Sequence, residues 1–545
     1  MNLQSLRETV RRGFLAACLL AAPGAAALPA AAQDSGAQEV FSESLDVQAV
    51  DVQVLVTDKK GRPVQGLTAA DLRLLVDGKE VPVEYFVEIQ DGTRIAAPAG
   101  AAAPQVPPAL AAQGEAVPNR YLVFIDEYFT PPQTRNEALR ALAREVATMR
   151  PQDRMAIVSY GGRKLKVLTP WTGPGEPLRQ FLEKLGGHKA SLASTPFSFG
   201  ELEPSTHVIL EQISNQLDAS AMSGSLIDPR ILAASYVDYV ERSIAAAEES
   251  MRAFAGISGR KLLVLMSGGW TYDIDIKRKT ADREERLVPL IETCNLLGYT
   301  LYPLQLARYG PADLPRAGGH AVNSTLGTGA TAHVGTPGER GLMVIAEETG
   351  GKYLLPGNNK HLSRIADDTR SYYWLGFTHS GPRRSHAVRV EAVRPGLQVR
   401  ARKSFVPLSP EERLDLDLER ALLARDTAGM GPLAVSPGAL KKVDGDLGEL
   451  PVTVTVPVES LSLARQDGRY RGKLELRIAA LDDQGNRSDM PVLRIDLARD
   501  EPPAPGAVVR HDTTLRVRYA PQDIQLVLYD TLSGKSFAER LRVQP

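Results

Sequence analysis

Residues 121–130 read Tyr-Leu-Val-Phe-Ile-Asp-Glu-Tyr-Phe-Thr: five apolar residues in succession, then Asp126 and a short polar and aromatic turn. A strand with one wet face alternates, so an unbroken apolar run bounded by a turn predicts a strand covered on both faces. Residues 261–270, Lys-Leu-Leu-Val-Leu-Met-Ser-Gly-Gly-Trp, repeat the arrangement, with small residues where the first run has its acid. Leu139, Leu142, Val146 and Met149 step by three and four, as do Val237, Val240, Ile244, Ala247, Met251 and Phe254, which predicts amphipathic helices. Further strands are predicted at 155–158, at 164–168 on an edge, and at 300–306 and 352–355. Helices are predicted at 177–185, 287–297, 342–348 and 362–369. Such alternation requires a mostly parallel sheet with helices on both faces, here spanning residues 119–371.

The flanks have a different rhythm. Val50, Val52, Val54 and Val56 recur at period two, a turn follows at 58–61, a capped turn at 67–71, and a hairpin over 72–87 turns at Asp77-Gly78. Residues 40–90 therefore form a small β unit, followed by an Ala/Pro-rich linker at 91–118. Strands return at 372–377, 387–393 and 397–405. Residues 372–408 are expected to complete a β-sandwich with the N-terminal unit, the α/β domain being inserted between them. The Gly-, Ala- and Thr-rich stretch 308–337 is expected to be a loop, 411–425 a Leu-rich helix, and 426–449 a further loop. From Val452 onward only strands are predicted, beginning with alternating Val452, Val454, Val456 and Val458, so residues 450–545 form a C-terminal β-sandwich. The fold class is multidomain α/β plus β, a central doubly wound parallel sheet flanked by β-sandwich domains.

Composition narrows the partners. Lys plus Arg number 64 against 65 Asp plus Glu, which removes the electrostatic case for a nucleic-acid binder. The partner expected is a protein or a cell-envelope component. At the N-terminus Arg7, Arg11 and Arg12 precede an apolar run at 14–22 and small residues ending Ala30-Ala31-Ala32, the order of a signal peptide spanning 1–32. Export is expected, to a periplasmic, outer-envelope-associated or secreted location. Pro23, Gly24 and Pro29 interrupt the run, so no transmembrane span is expected in the mature chain. Leu15-Ala16-Ala17-Cys18 also fits a lipidation signal, and both readings stand. The other cysteine, Cys294, falls in a predicted helix and is expected to pack.

LVFIDEYFT at 122–130 and KLLVLMSGGW at 261–270 occupy the places of two metal-site loops in von Willebrand factor A domains. VIAEETGGKYLL at 344–355, RIADDTRSYYWLGF at 364–377 and VRVEAVRPGLQVRARKSF at 388–405 resemble the end and tail of that domain in acidobacterial VWFA-related proteins. The resemblance covers about residues 48–406. It implies a von Willebrand factor A-like fold and a cation, Mg2+ or another divalent ion, at the carboxyl edge of the sheet. Oxygen ligands would hold that ion and a partner's carboxylate would complete it. Asp126 and Thr130 match the first and last positions of the ligand motif; Tyr128 stands where its first serine belongs, and Gly268 where a later aspartate belongs. Thr195 could supply a second-loop hydroxyl, and Asp273 and Asp275 could approach the site. In the competing reading Asp126 only bonds backbone at the strand end. Metal dependence is therefore left open.

Catalysis is not signalled. No Gly-x-Ser-x-Gly surrounds any serine, and Ser267 fits better as a small residue in a tight turn. The eight histidines, among them His188, His207, His320, His333 and His361, form no zinc motif. Gly161-Gly162-Arg163-Lys164 lacks phosphate-loop spacing and reads as a hairpin. Asp444-Gly445-Asp446 with Glu449 reads as a solvated turn or, less simply, a Ca2+ site. Trp270 follows the glycines where a ligand approaches; with Tyr128 it is expected to bind the partner if exposed, packing on a helix being the other reading. An exported, non-enzymatic interaction module results, with an envelope scaffold and an unrecognised envelope hydrolase as alternatives.

Overall fold

The alternating valines lie in β1 (Gln48–Thr57), where Val50, Val52, Val54 and Val56 all turn into a core. The structure is a computed structural model. It describes residues 48–95, 116–187, 229–306, 337–354 and 360–545, apart from positions 131, 163, 269, 271–284, 467, 484, 486, 503 and 505. Residues 1–47 with Cys18, most of the linker, the stretch expected to be a loop as far as residue 336, Thr195, Asp273, Asp275 and His188, His207, His320 and His333 lie outside the described residues.

After β1 come β2 (Leu72–Val76), β3 (Lys79–Val81), β4 (Tyr85–Gln90) and β5 (Thr93–Arg94). The chain then runs through the strand–helix region and returns as β11 (Tyr372–His379), β12 (His386–Ala392), β13 (Gln398–Arg400) and β14 (Ser404–Phe405). β11 lies antiparallel between β1 and β4, while β12 pairs with β2 and β14, giving sheets of order β13-β1-β11-β4-β5 and β14-β12-β2-β3. Valines of β1, leucines of β2, and Tyr373, Leu375 and Phe377 of β11 share one core between the sheets. The Tyr373 hydroxyl accepts from the Leu67 amide at 3.1 Å, tying residues 306 apart.

Between these halves lies a five-stranded sheet of β6 (Asn119–Asp126), β7 (Arg154–Tyr160), β8 (Leu165–Thr172), β9 (Arg260–Ser267) and β10 (Tyr299–Gln305). Its order is β10-β9-β6-β7-β8; the first four strands are parallel and β8 is an antiparallel edge. The helices are α1 (Pro132–Glu145), α2 (Glu176–Gly187), α3 (Pro229–Ala253), α4 (Val288–Leu297), α5 (Pro337–Glu348) and α6 (His361–Thr369). Side chains of a strand alternate between faces, so the apolar run of β6 supplies two cores at once. Leu122 and Phe124 join Val240, Ile244 and Met251 of α3 and Leu290 of α4. Tyr121, Val123 and Ile125 join Leu139 and Leu142 of α1, Leu178 of α2 and Ile365 of α6. The strand predicted at 352–355 contracts to a single parallel bridge, Leu304 to Leu354.

The Leu-rich helix is α7 (Pro410–Glu419), begun by a capping box between Ser409 and Glu412 and ended by a π-helical turn at Arg420–Ala424. The expectation of a loop over 426–449 is corrected. Ala434–Pro437 and Lys441–Asp444 pair with Leu447–Pro457, and Gly431–Pro432 with Ser536–Val543, so this stretch belongs to the C-terminal sheets. Their two to four residues, rich in Gly and Pro, are too short to show an alternating pattern. Leu450, Val452, Val454 and Val456 share one core with Leu476, Ile478, Leu526 and Leu528 of those sheets. Among the described residues no helix is long and apolar enough to cross a membrane.

Candidate functional site

Strand register carries four polar residues to the carboxyl ends of neighbouring strands. Asp126 of β6 lies opposite Tyr160 of β7, Ile125 opposite Met266 so that Asp126 adjoins Ser267 of β9, and Gln305 of β10 lies opposite Ser267. By the period of two, Asp126 follows Phe124, and Ser267 follows Leu265, toward the α3 face.

Asp126 is fully buried, and its carboxylate collects hydrogens from several elements. Oδ2 accepts from the Ser267 hydroxyl at 2.9 Å and from the Trp270 indole N–H at 2.8 Å. Oδ1 accepts from the Phe129 amide at 3.2 Å and, more weakly, from the Ser243 hydroxyl of α3 at 3.4 Å. The Tyr128 amide also donates to this carboxylate. Burial pushes its pKa up to about 6, against the pull of the indole, amide and hydroxyl donors, which favour the charged form.

Asp126 is the centre, and it bonds backbone and side chains alike. Thr130 is buried close by in sequence, with its hydroxyl unpartnered. Tyr128 is half-buried and stacks on Tyr239 of α3, ring centroids 4.2 Å apart at 15°, with Phe129 edge-on at 4.8 Å. Gly162, between β7 and β8, leaves room for that stack: at φ +86° its position admits no easy side chain, and a Cβ would come within 3.3 Å of the Tyr128 ring. Trp270 is 1% exposed, so the expectation of an exposed aromatic at this turn is corrected. Its indole faces inward because a buried N–H seeks an acceptor and Asp126 provides one. Ser267 is fully buried and spends its hydroxyl on Asp126, so it presents no nucleophile at the surface.

Ser243 and Tyr239 escaped the reading of the sequence, which followed only the apolar steps of α3. Their signal was nevertheless present: Ser243 and Ser250 interrupt an apolar stripe, and both are fully buried. A buried serine needs a partner, which Ser250 finds in the Ala247 carbonyl at 2.7 Å and Ser243 in Asp126.

The implied cation can be tested against these groups. The unpartnered Thr130 hydroxyl could serve as a ligand, but the rest of the set argues against one. A carboxylate offers about four lone-pair directions, and those of Asp126 meet hydrogens. The indole nitrogen is a donor with no lone pair to give. A cation at Oδ2 would have to displace it. The described residues therefore do not fit the ion. Among the described residues no group of three His, Cys, Asp or Glu side chains is placed to hold a metal ion. Asp444 and Asp446 lie exposed at the hairpin between Lys441–Asp444 and Leu447–Pro457. His361, at the start of α6, is buried with its pKa lowered by desolvation, and Cys294 is a buried free thiol against the Met251 sulfur.

No protein-family model matches the chain, and no curated protein is similar to it in sequence. Among solved structures, the SpRpn10 VWA domain aligns with 46% of this chain and 93% of its own length at 8% identity and a TM-score of 0.22. The pilus adhesin SpaC from Lactobacillus rhamnosus GG aligns with 89% of this chain at 8% identity and a TM-score of 0.23, the chain spanning 61% of the adhesin. A β-glucuronidase from Bacteroides uniformis aligns with 32% of this chain at 11% identity and a TM-score of 0.15; the chain spans 19% of that enzyme's length. VWA domains are thus among the weak structural neighbours. At these scores the likenesses carry no argument, and the fold rests on its own topology.

Proposed function

We propose that this chain is an exported interaction module that binds a protein or cell-envelope component through the carboxyl-edge loops of a doubly wound, von Willebrand factor A-like domain. The strand order β10-β9-β6-β7-β8, with parallel strands and one antiparallel edge, supports the fold part of this reading. Open α/β sheets present ligands at the carboxyl ends of their strands. The observation that carries the binding part is the Tyr128–Tyr239 stack at that edge. Two half-buried aromatic rings, locked face to face over Gly162, offer a preformed surface at low entropic cost, the quality shared by residues that dominate interfaces.

The order of basic, apolar and small residues over 1–32, like that of a signal peptide, supports export. Affinity capture from envelope extract by the full chain tests the proposal. The wild type is expected to retain a specific partner, and Tyr128→Ala to lose it while still unfolding in one cooperative transition. Equal capture by both proteins overturns the assignment of this edge.

A further inference from the structure

The Asp126 cage joins three separately encoded pieces of chain. The carboxylate ends β6, Ser267 and Trp270 belong to the end of β9 and its following turn, and Ser243 belongs to α3, 117 residues from Asp126. Each donor is placed by an element packed in the same core, since Trp270 and Val240, Ile244 and Ala247 of α3 share one apolar cluster with Phe124 and Leu265. A cation site at this place would be built the other way round, with oxygens facing inward and a position left open for a partner. Here the inward groups are hydrogens, and the largest of them, an indole, also supplies the apolar packing that closes the position.

We propose that in this chain the indole N–H of Trp270 stands where the family resemblance places a divalent cation, so that Asp126 fastens β6, the turn after β9 and α3 together without a metal ion. Trp270, Ser267 and Ser243 are positioning residues in this scheme, acting on the edge through Asp126. The edge is held in one shape independently of calcium or magnesium in the surroundings, and contact with a partner passes through the Tyr128–Tyr239 stack instead of a metal-bridged carboxylate. The last clause rests on the function proposed above, whereas the cation-free cage does not.

Two measurements on the full chain test it. In the first, thermal unfolding is followed with EDTA and then with Mg2+, Mn2+ or Ca2+ alone in excess. The expected midpoints coincide; a rise with any of these ions that Asp126→Asn abolishes overturns the proposal. In the second, Trp270→Phe, Asp126→Asn and the double variant are compared. Phenylalanine keeps much of the packing and removes the N–H. If Trp270 acts through Asp126, the double variant unfolds well above the midpoint that summing the two single shifts gives. Simple summation overturns the link between them. Should Trp270→Phe fail to fold, the cation series on the wild type still decides. Failure of partner capture leaves both results unchanged, so the two readings fail separately.

Discussion

The two edges of the central sheet bury charge in opposite ways. At the carboxyl edge one carboxylate, Asp126, is enclosed by uncharged donors drawn from within the α/β unit. At the amino edge, Asp51 of β1, Lys261 of β9 and Arg402 beyond β13 bring three ionisable groups to the seam between that unit and the two sheets that share the β1 core. Arg402 donates to the backbone carbonyls of Asn295 and Asp51, while Lys261 donates to the Ala255 carbonyl at 3.1 Å and lies over the Tyr299 ring. Desolvation moves each group toward its neutral form: Asp51 rises to about 6, Lys261 falls to about 8 and Arg402 to about 10. Fixed neutral dipoles stabilise a charge only in one orientation, which demands a rigid frame. Ion groups at a seam attract over a wider range of geometries but carry a heavy desolvation cost, so their net contribution is small. One edge is built for shape, the other for charge balance.

The largest expected effect falls on the first edge. Asp126→Ala strands the Trp270, Ser267 and Ser243 donors in a closed interior and should cost about 3–5 kcal/mol in urea unfolding of the full chain. A loss below about 1 kcal/mol would make the cage decorative. Next comes pH. Because the folded-state pKa of Asp126 is raised from 3.8 to about 6, the folded chain binds this proton more tightly than the unfolded chain. Its contribution is greatest below about pH 4 and is lost as pH rises through 6. Relative to Asp126→Asn, the wild type should therefore lose stability on the order of 3 kcal/mol between pH 4 and 7. Parallel curves for the two proteins would contradict the burial of this carboxyl.

Trp270→Phe should cost about 2 kcal/mol, one hydrogen bond to a charged group plus a small packing loss, read from the same urea curves. The smallest effect belongs to the other edge. Lys261→Met keeps the stem and removes the ammonium, leaving Asp51 beside Arg402, and should change stability by less than about 1 kcal/mol in either direction. A loss as large as that of Asp126→Ala would erase the contrast between the edges.

Much of this architecture was written locally. The apolar runs of β6 and β9 signalled two-sided burial, and Leu122 to Ile125 and Leu262 to Met266 are indeed fully buried. Asp126 was conspicuous because a carboxylate follows such a run directly. What surrounds it was not legible, since hydrogen-bond partners 117, 141 and 144 residues away are set by helix placement and strand register. Trp270 shows the limit most clearly. Its position after two glycines was consistent with a wet tip or a packed ring, and only the nearby buried acceptor selects the second. The short strands at 431–444 were missed for a different reason, because two to four residues give no period to detect.

The antiparallel pairing of β1 with β11 has a consequence for biogenesis. The N-terminal valines leave the ribosome more than 300 residues before the strand that covers them, as the 306-residue separation between Leu67 and Tyr373 records. Until β11 has been made, at residue 379, β1 is an apolar edge awaiting its neighbour, and closing so distant a contact is slow. An assistant that shields nascent edges, or export before folding, would protect the chain during that interval.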